Sequence, residues 1–217
     1  MHPAMQAWPT PSAVCQARRG RKDRGALGIP RLSPTERLMI YFFAAAAVIT
    51  AIAAVYDLRT GHIPNWLTLG ALGSALVAHA AYGLASGGGA GLFEALLSAC
   101  FGALMCALVP GIMFALGGMG GGDVKLFAAI GAACHVARGL EVEMYSFVIA
   151  LLLAPAYLAW KGTLLQTLRN VLALASNPLR TKDSRRPVPA ELMQWFRLAP
   201  AIFLGCAAAF VVHTARF

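Results

Sequence analysis

Two aspartates lie where long apolar segments of the chain meet short polar turns: Asp57 follows the first long apolar run, and Asp123 follows a run of glycines. An acid at membrane depth marks a candidate functional site, because an ionised group is costly in hydrocarbon. Two neighbouring carboxyl groups can divide the work of peptide hydrolysis. One takes a proton from water, and the other donates a proton to the carbonyl oxygen. The pair therefore predicts aspartyl-protease chemistry, with Asp57 and Asp123 as the catalytic residues.

The surroundings of Asp123 suit such a site. A glycine-rich run that includes Gly117, Gly120 and Gly122 precedes it, and glycine backbone can adopt unusual dihedral angles and approach a substrate closely. Asp123 also begins the next apolar segment, where the helix dipole and Lys125 favour an anion. These features favour Asp123 as the more acidic partner. The base and the acid stay unassigned, because a coupled pair titrates as a unit.

A second turn follows Asp57 and shapes the other side of the predicted site. Pro64 fixes the backbone there, and Asn65 is placed to cap the helix that follows. His62 precedes them without a Ser or Cys nucleophile pattern, so we assign it to the membrane interface rather than to catalysis.

The composition is that of a polytopic membrane protein. Of the 217 residues, 59% are hydrophobic and 12% are charged, whereas soluble proteins contain roughly 25% charged residues. The net charge of +9 indicates contact with lipid headgroups and a topology signal rather than nucleic-acid binding, since no nucleic-acid-binding motif is present. The cysteines form no metal-binding or disulfide pattern, so neither a metal nor a cofactor is expected.

Long continuous apolar runs predict an all-α membrane helix bundle with about six transmembrane helices. A helix needs about 20 residues to cross the hydrocarbon layer, and the runs do not alternate as the strands of a barrel would. The predicted spans are 38–56, 66–84, 92–116, 124–139, 144–160 and 198–215.

Counting crossings places the two aspartates on the same side of the membrane. Two whole spans, 66–84 and 92–116, lie between them. An even number of crossings returns the chain to the face that it left, so this prediction does not depend on the orientation of the protein.

The basic residues separate the chain into a tail and a membrane domain. Residues 1–37 contain seven of the 18 Lys and Arg with scattered prolines, and predict a disordered basic extension before a membrane domain at 38–217. With the aspartates in the cytoplasm, that side holds nine basic residues and the other holds two, apart from the tail. The seven basic residues of the tail would bring the opposite side to nine as well and remove the difference between the two sides. We therefore hypothesise that residues 1–38 are an over-extended gene start, or a cleaved or peripheral tail.

The segment 161–197 is predicted to be a cytoplasmic loop. Leu164, Leu165, Leu168, Val171 and Leu172 have the spacing of an amphipathic helix in the headgroup zone. Periodicity alone does not separate such a helix from a continuation of the preceding span, so both alternatives stay open.

Two segments resemble the type IV prepilin peptidase family. The run from Gly117 to Leu126 resembles its Gly-x-hydrophobic-Gly-x-Gly-Asp signature, and Asp57 to Leu69 resembles its first-aspartate segment, with Ile-Pro-Asn and Leu-Thr-Leu. The resemblance covers about residues 39–160, and residues 199–202 are more loosely similar to the family's last span.

The resemblance implies an aspartic-type endopeptidase of the bacterial inner membrane, which removes the basic leader of prepilins or pseudopilins at the cytoplasmic face, after a glycine. Asp57 and Asp123 match its catalytic pair. Bifunctional members also carry an N-terminal domain with paired cysteines and N-methylate the product. Nothing like that domain stands in this sequence, so the chain resembles the small form of tight-adherence (Flp pilus, Tad secretion) systems, and methyltransferase activity stays open. The sequence indicates no oligomeric state.

Two other functions stay as alternatives. A presenilin-like or signal-peptide-peptidase-like intramembrane protease also uses paired aspartates, but on consecutive helices, whereas two spans intervene here. A non-enzymatic membrane transporter or assembly subunit is the second alternative, since such proteins also use intramembrane acids. Replacing the aspartates distinguishes these classes.

Overall fold

The computed structural model describes residues 34–162, 164–175 and 197–214, and this part of the chain is helical without any strand. It therefore confirms the predicted all-α bundle. Helix α3 packs against α2 and α5, and α5 also packs against α1. The five helices are α1 (Pro34–Thr60), α2 (Asn65–Ala115), α3 (Gly121–Trp160), α4 (Leu164–Ala175) and α5 (Ala199–Thr214).

Helix α2 is two antiparallel segments, α2a (65–86) and α2b (89–115), joined at a sharp turn. Gly88 has φ 60° and ψ −143°, a conformation that breaks the helix and that glycine adopts without a steric penalty. Next to the turn the two segments nearly touch, because a Cβ atom on Gly83 would lie 2.4 Å from the carbonyl oxygen of Gly91. Glycines at this crossing are what allow the chain to fold back on itself.

Helix α3 is also a hairpin, with α3a (121–134) and α3b (136–160) on either side of His135. His135 has φ 61° and ψ 174°. Among the residues that the structure describes, it is the one non-glycine residue with a positive φ. A Cβ atom on Gly139 would lie 3.0 Å from the Cα atom of Gly131, so the two segments run side by side. The ends of α3 at Gly121 and Trp160 therefore face the same direction.

The position of this second turn differs from the prediction. The spans 124–139 and 144–160 left Glu141 and Glu143 in a loop, whereas the structure turns at His135 and includes both glutamates in a helix. The apolar runs placed the turn between residues 139 and 144, but close packing of small residues fixes it at His135 instead. Glu143 is consequently buried, with an exposed fraction of 4%.

Small residues fill much of the interior of the bundle beside a few large ones such as Phe43 and Phe127, and large apolar residues cover much of its outer surface. Ala53, Ala132 and Cys206 are fully buried, whereas Val77, Phe93 and Leu151 are exposed. This distribution fits a bundle whose helices approach closely and whose surface faces lipid. Three of the described helices, α1 from Arg37, α2 and α3, are long and apolar enough to cross a membrane, and α5 is a shorter apolar helix. The exact number of crossings stays a prediction.

Two segment boundaries also bear on the predictions. Helix α1 begins at Pro34, so residues 34–37 of the predicted disordered extension are helical; proline suits the first helical position, where its missing N–H has no intrahelical partner. The rest of that extension lies outside the described residues.

In the loop 161–197, Lys161 caps α3 and Gly162 has φ 71°, so α4 is a separate helix, not a continuation of α3. Residues 176–196 lie outside the described part.

Replacing Glu143 by methionine is expected to raise the free energy of unfolding by about 1–3 kcal/mol, the penalty for a buried polar group without a hydrogen bond. The Oε2 atom of Glu143 has no hydrogen-bond partner among the described residues, and methionine has a similar volume without the polar atoms. Thermal unfolding in detergent measures the effect. The half-buried Glu141, changed in the same way, is the control and should alter stability little; a loss of stability in Glu143→Met contradicts the prediction.

Candidate active site

Asp57 lies in the last turn of α1 and is 7% exposed. Its carboxylate accepts a hydrogen bond from the backbone N–H of Ala199, the first residue of α5. That N–H has no partner within its own helix, so a carboxylate is well placed to satisfy it, and the dipole of α5 favours the negative charge. The Oδ2 atom of Asp57 is buried and has no hydrogen-bond partner in the described part of the chain.

Arg197 connects the start of α5 to the end of α1. Its Nη1 atom donates a hydrogen bond to the carbonyl oxygen of Leu58, one of the last carbonyl groups of α1. The same guanidinium interacts electrostatically with Asp57. A cation at the C-terminus of a helix is favourable in itself, and here it also compensates a carboxylate that would otherwise lie at the unfavourable end of α1.

Asp123 is the third residue of α3, and its carboxylate accepts a hydrogen bond from the backbone N–H of Gly120, the N-cap residue. A side chain at the third position that reaches back to the N-cap N–H is one half of a capping box. A Cβ atom on Gly120 would lie 3.2 Å from the Oδ2 atom of Asp123, a contact tighter than almost all that Cβ atoms make in proteins. Glycine at this position therefore leaves room for the carboxylate.

The glycine run before Asp123 ends α2 and turns the chain into α3. Gly117, with φ 78°, donates its N–H to the carbonyl of Phe114 at 2.9 Å, and Gly118 donates to Met113 at 2.8 Å. These two bonds form a Schellman motif, which requires the left-handed conformation that glycine favours. Met119 then buries its side chain, which anchors the turn to the core.

Contact between the two turns brings the aspartates together. Ile63, in the turn that follows Asp57, is buried against Gly122, where an added Cβ atom would lie 3.2 Å from the Ile63 Cβ atom. The carboxyl group of Asp123 interacts electrostatically with that of Asp57. The structure therefore places Asp57, Asp123, Gly120 and Gly122 in one site at one end of the bundle.

Asn65 and Lys125 lie beside this site but interact differently from the prediction. Pro64, with φ −66° and ψ 136°, is the N-cap of α2, so the prediction that Asn65 caps this helix was wrong. The Oδ1 atom of Asn65 instead accepts a hydrogen bond from Nζ of Lys125 at 2.8 Å. This bond joins α2 to α3 and directs the Lys125 ammonium group to Asn65. Among the described residues, the cation that interacts with the aspartate pair is Arg197, which lies beside Asp57.

No group of three or more His, Cys, Asp and Glu that could hold a metal ion occurs among the described residues. His62, exposed in the turn after Asp57, donates its backbone N–H to the hydroxyl of Thr60 at 3.3 Å. Among the described residues, the groups that interact at the two aspartates are therefore their own carboxyl groups, the backbone N–H groups of Gly120 and Ala199, and the guanidinium of Arg197.

The sequence model of the type IV leader peptidase family matches residues 40–155. The chain belongs to this family. Searches of curated proteins and of solved structures each gave no match. The protein is thus a membrane protease of multi-pass architecture, and the matched region contains both aspartates and both turns. The match ends before α5, so the residues of α5 that contact Asp57 lie outside it.

Arg197 and Ala199 are the parts of the candidate site that the sequence did not predict. Arg197 was counted only as a topology signal, although an arginine directly before an apolar helix on the side of both acids is a usable indication. Ala199 acts through its backbone N–H, and because every residue except proline has this group, the residue type gives no indication of the role. Pro200 follows it and lacks an N–H, so Ala199 is the donor that the helix start presents to Asp57.

We expect Arg197→Ala to lower the kcat/KM of this membrane protease for a leader substrate by about 10-fold, equivalent to about 1.4 kcal/mol. The change removes the cation beside Asp57 and the hydrogen bond to Leu58. Arg197→Lys should recover part of the loss, since it restores the charge without the planar donor pair. Arg59→Ala, which removes an exposed arginine near the same end of α1, is the control. Equal activity of the two alanine variants would contradict this role.

Proposed function

We propose that this leader peptidase is an aspartic endopeptidase that removes the leader peptide of Flp-type prepilins or pseudopilins at the cytoplasmic face of the inner membrane. The observation that carries the proposal is the juxtaposition of Asp57 and Asp123 through the contact between Ile63 and Gly122. Two carboxyl groups at such a junction are the minimal apparatus for hydrolysis of an amide without a covalent intermediate.

In the proposed mechanism Asp57 is the base and Asp123 is the acid. Asp57 has the better environment for an anion, since it combines the N–H of Ala199 with the charge of Arg197. Asp123 faces the charge of Asp57, and two close carboxylates do not readily ionise together. This reverses the preference drawn from the sequence, because Lys125 bonds to Asn65 instead.

Hydrolysis then proceeds in two proton-balanced steps. Asp57 takes a proton from water, the resulting hydroxide attacks the scissile carbonyl carbon, and Asp123 gives its proton to the carbonyl oxygen. Collapse of the gem-diol returns that proton to Asp123, while Asp57 passes its proton to the leaving amine. The Oδ2 atom of Asp57, without a partner in the described part of the chain, is the acceptor available to the attacking water.

The charge distribution supports an orientation with the aspartates in the cytoplasm. Of the described basic residues, Arg37 and Arg138 lie towards the opposite end of the bundle. Positive charge is enriched in cytoplasmic loops. The basic residues that accompany the aspartate end are Arg59, Lys125, Lys161, Arg169 and Arg197.

The interfacial groups at this end support the same membrane placement. Trp160 is 91% exposed at the end of α3, and Lys161 lies over the ring of Tyr157 at 4.7 Å. Trp66 packs edge-on against Tyr56, beside Asp57. Tryptophan, tyrosine and lysine concentrate at the headgroup level. The proposed site therefore lies at a membrane surface, where a polar leader and an apolar segment of one substrate can both be accommodated.

Co-expression with candidate prepilins tests the proposed function. The expected result is a shortened pilin on gels, and sequencing of its N-terminus should place the cut after a glycine of the leader. The same prepilin with that glycine changed to valine is the matched control and should stay uncut. If none of the encoded Flp-type leaders is shortened by the wild-type protein, the proposed function is wrong.

A further inference from the structure

A polar cavity lies at the end of the bundle opposite the aspartates. Its volume is about 290 Å³, and its walls come from the start of α1, the end of α2a, the start of α2b and the turn at His135. Leu38 lines it and precedes Asp57 by 19 residues, so the two positions are about 28 Å apart along the axis of α1. The cavity, called the far-end cavity below, is therefore separate from the candidate active site.

Three polar groups on the walls of the far-end cavity have no hydrogen-bond partner among the described residues. They are the carboxylate of Glu94, the hydroxyl of Tyr82 and the Nε2 atom of His135. The other ring nitrogen of His135, Nδ1, lies 2.9 Å from the Oγ atom of Ser98. A cavity with a few converging polar groups is the usual form of a small-ligand site, and these three groups are available to a ligand.

The backbone of His135 is held in a conformation that suits glycine. Its φ of 61° and ψ of 174° lie in a region that other residues occupy only under strain, and such residues cluster at ligand sites. His79 supports the strained residue, since the centroids of the two imidazole rings are 4.5 Å apart. His79 is itself fixed, because its Nε2 atom donates to the carbonyl of Ala133 at 3.1 Å and its ring stacks on Phe42 at 4.2 Å. The imidazole of His135 is therefore kept at the cavity wall.

The walls differ in polarity, which indicates an amphipathic ligand. The wall on α1 is apolar and includes Leu38 and Phe42, whereas the facing walls carry Glu94, Tyr82 and His135. A carboxylate favours an ammonium group, which can also donate to the phenol oxygen, and it disfavours a ligand with negative charge alone. An imidazole N–H can donate to a phosphate oxygen. The polar groups therefore fit a ligand that carries both an ammonium and a phosphate.

The depth and the size of the far-end cavity fit a lipid headgroup. Non-helical backbone that faces lipid is excluded from the hydrocarbon layer, so the turns at Gly88 and His135 mark the level of the headgroups on this side. An apolar cavity of about 150 Å³ accepts benzene. A cavity of about 290 Å³ accepts a headgroup but not a whole lipid, so the acyl chains would lie against the outer surface of the bundle.

We propose that the far-end cavity binds the phosphoethanolamine headgroup of a membrane lipid, in the leaflet opposite the aspartates. The ammonium group contacts Glu94 and Tyr82, the phosphate accepts a hydrogen bond from His135, and the glycerol and first methylene groups contact the apolar wall of α1. This site goes beyond the proposed function and does not depend on it, because no step of the hydrolysis involves these residues.

Thermal unfolding in detergent with added lipid tests the site through Glu94→Gln, with Glu141→Gln as the matched control. Glu141 is a partly buried acid of α3b that does not line the cavity. Phosphatidylethanolamine is expected to raise the Tm of the wild type by about 5 °C more than phosphatidylcholine or phosphatidylglycerol, because a ligand that binds only the folded protein stabilises it. Phosphatidylcholine has no ammonium hydrogen to donate, and phosphatidylglycerol has no cation. Glu94→Gln should lose this excess, and Glu141→Gln should keep it. Equal shifts from the three lipids in the wild type, or an unchanged excess in Glu94→Gln, overturn the proposal.

His135→Gly separates ligand binding from packing. Glycine adopts this backbone conformation without a steric penalty, so the Tm of the variant in lipid-free detergent should be no lower than that of the wild type. The excess shift with phosphatidylethanolamine should nevertheless be lost, since the phosphate donor is gone. A residue that serves packing alone would behave in the opposite way, with a lower Tm and an unchanged excess, and that result overturns the proposal.

Free O-phosphoethanolamine distinguishes a membrane lipid from a soluble ligand of the same chemistry. At the concentration of lipid that gives the full shift, the free headgroup should change the Tm of the wild type little, because it makes no contact with the apolar wall of α1. A shift as large as that with phosphatidylethanolamine overturns the assignment to a lipid.

Discussion

Replacement of Asp57 or of Asp123 by asparagine is expected to lower kcat for leader cleavage by about 10³-fold, within the range for loss of a general acid or base. Asparagine keeps the shape of the side chain but neither takes a proton from water nor donates one to the carbonyl oxygen. Because both carboxyl groups act in the same step, the double variant should be little worse than either single one. The measurement is single-turnover cleavage in detergent, with the amount of inserted protein determined in parallel.

Glu94→Gln provides the control for these two variants. Glu94 is an exposed acid near the turn between α2a and α2b, at the end of the bundle opposite the aspartates, and its replacement should leave kcat unchanged. Cleavage at the wild-type rate by either aspartate variant would remove the pair from the chemistry. It would favour the alternative in which intramembrane acids serve a transporter or an assembly subunit.

Gly102→Ala is expected to destabilise the bundle by about 3 kcal/mol, at the upper end of the usual cost of overpacking. The added Cβ atom would lie 2.2 Å from the carbonyl oxygen of Gly131 and 3.2 Å from the Cα atom of His135. Both are backbone atoms, so no side chain can rotate away to relieve the contact. Helices α2b and α3a would have to separate. Thermal unfolding in detergent measures the loss.

Gly73→Ala in α2a is the matched control. A Cβ atom added to Gly73 meets nothing within 4 Å, and alanine favours a helix over glycine by up to about 1 kcal/mol. This variant should therefore be as stable as wild type or slightly more stable. If Gly102→Ala behaves like Gly73→Ala, the close crossing of α2b and α3a is not present in the protein.

The helices themselves could be predicted from the sequence because continuous apolar runs leave few alternatives in a membrane. The prediction extended to the order of the segments, whereas for α4 it left a separate amphipathic helix and a continuation of the preceding span open. The meeting of Asp57 and Asp123 followed from a count of two intervening segments, and the structure has α2a and α2b there. The family match covers the same region, while the catalytic roles themselves stay predictions.

The turn at His135 could not be predicted because hydropathy does not record how closely two backbones approach. Gly131 and Gly139 give little signal as residue types, yet their contact decides where α3 folds back. The environment of Asp57 escaped prediction for a related reason. Its donor, Ala199, is a backbone N–H distant in sequence, and the role of Arg197 depends on packing between the first and last helices. Asn65 is a residue type that often caps helices, but its side chain accepts a hydrogen bond from Lys125 instead.

The hydrogen bond between Ala199 and Asp57 also has a consequence for biosynthesis. Asp57 emerges from the ribosome 142 residues before Ala199, the residue that completes its surroundings. Until α5 has inserted beside α1, the nascent chain holds both acids without the donor that orders one of them.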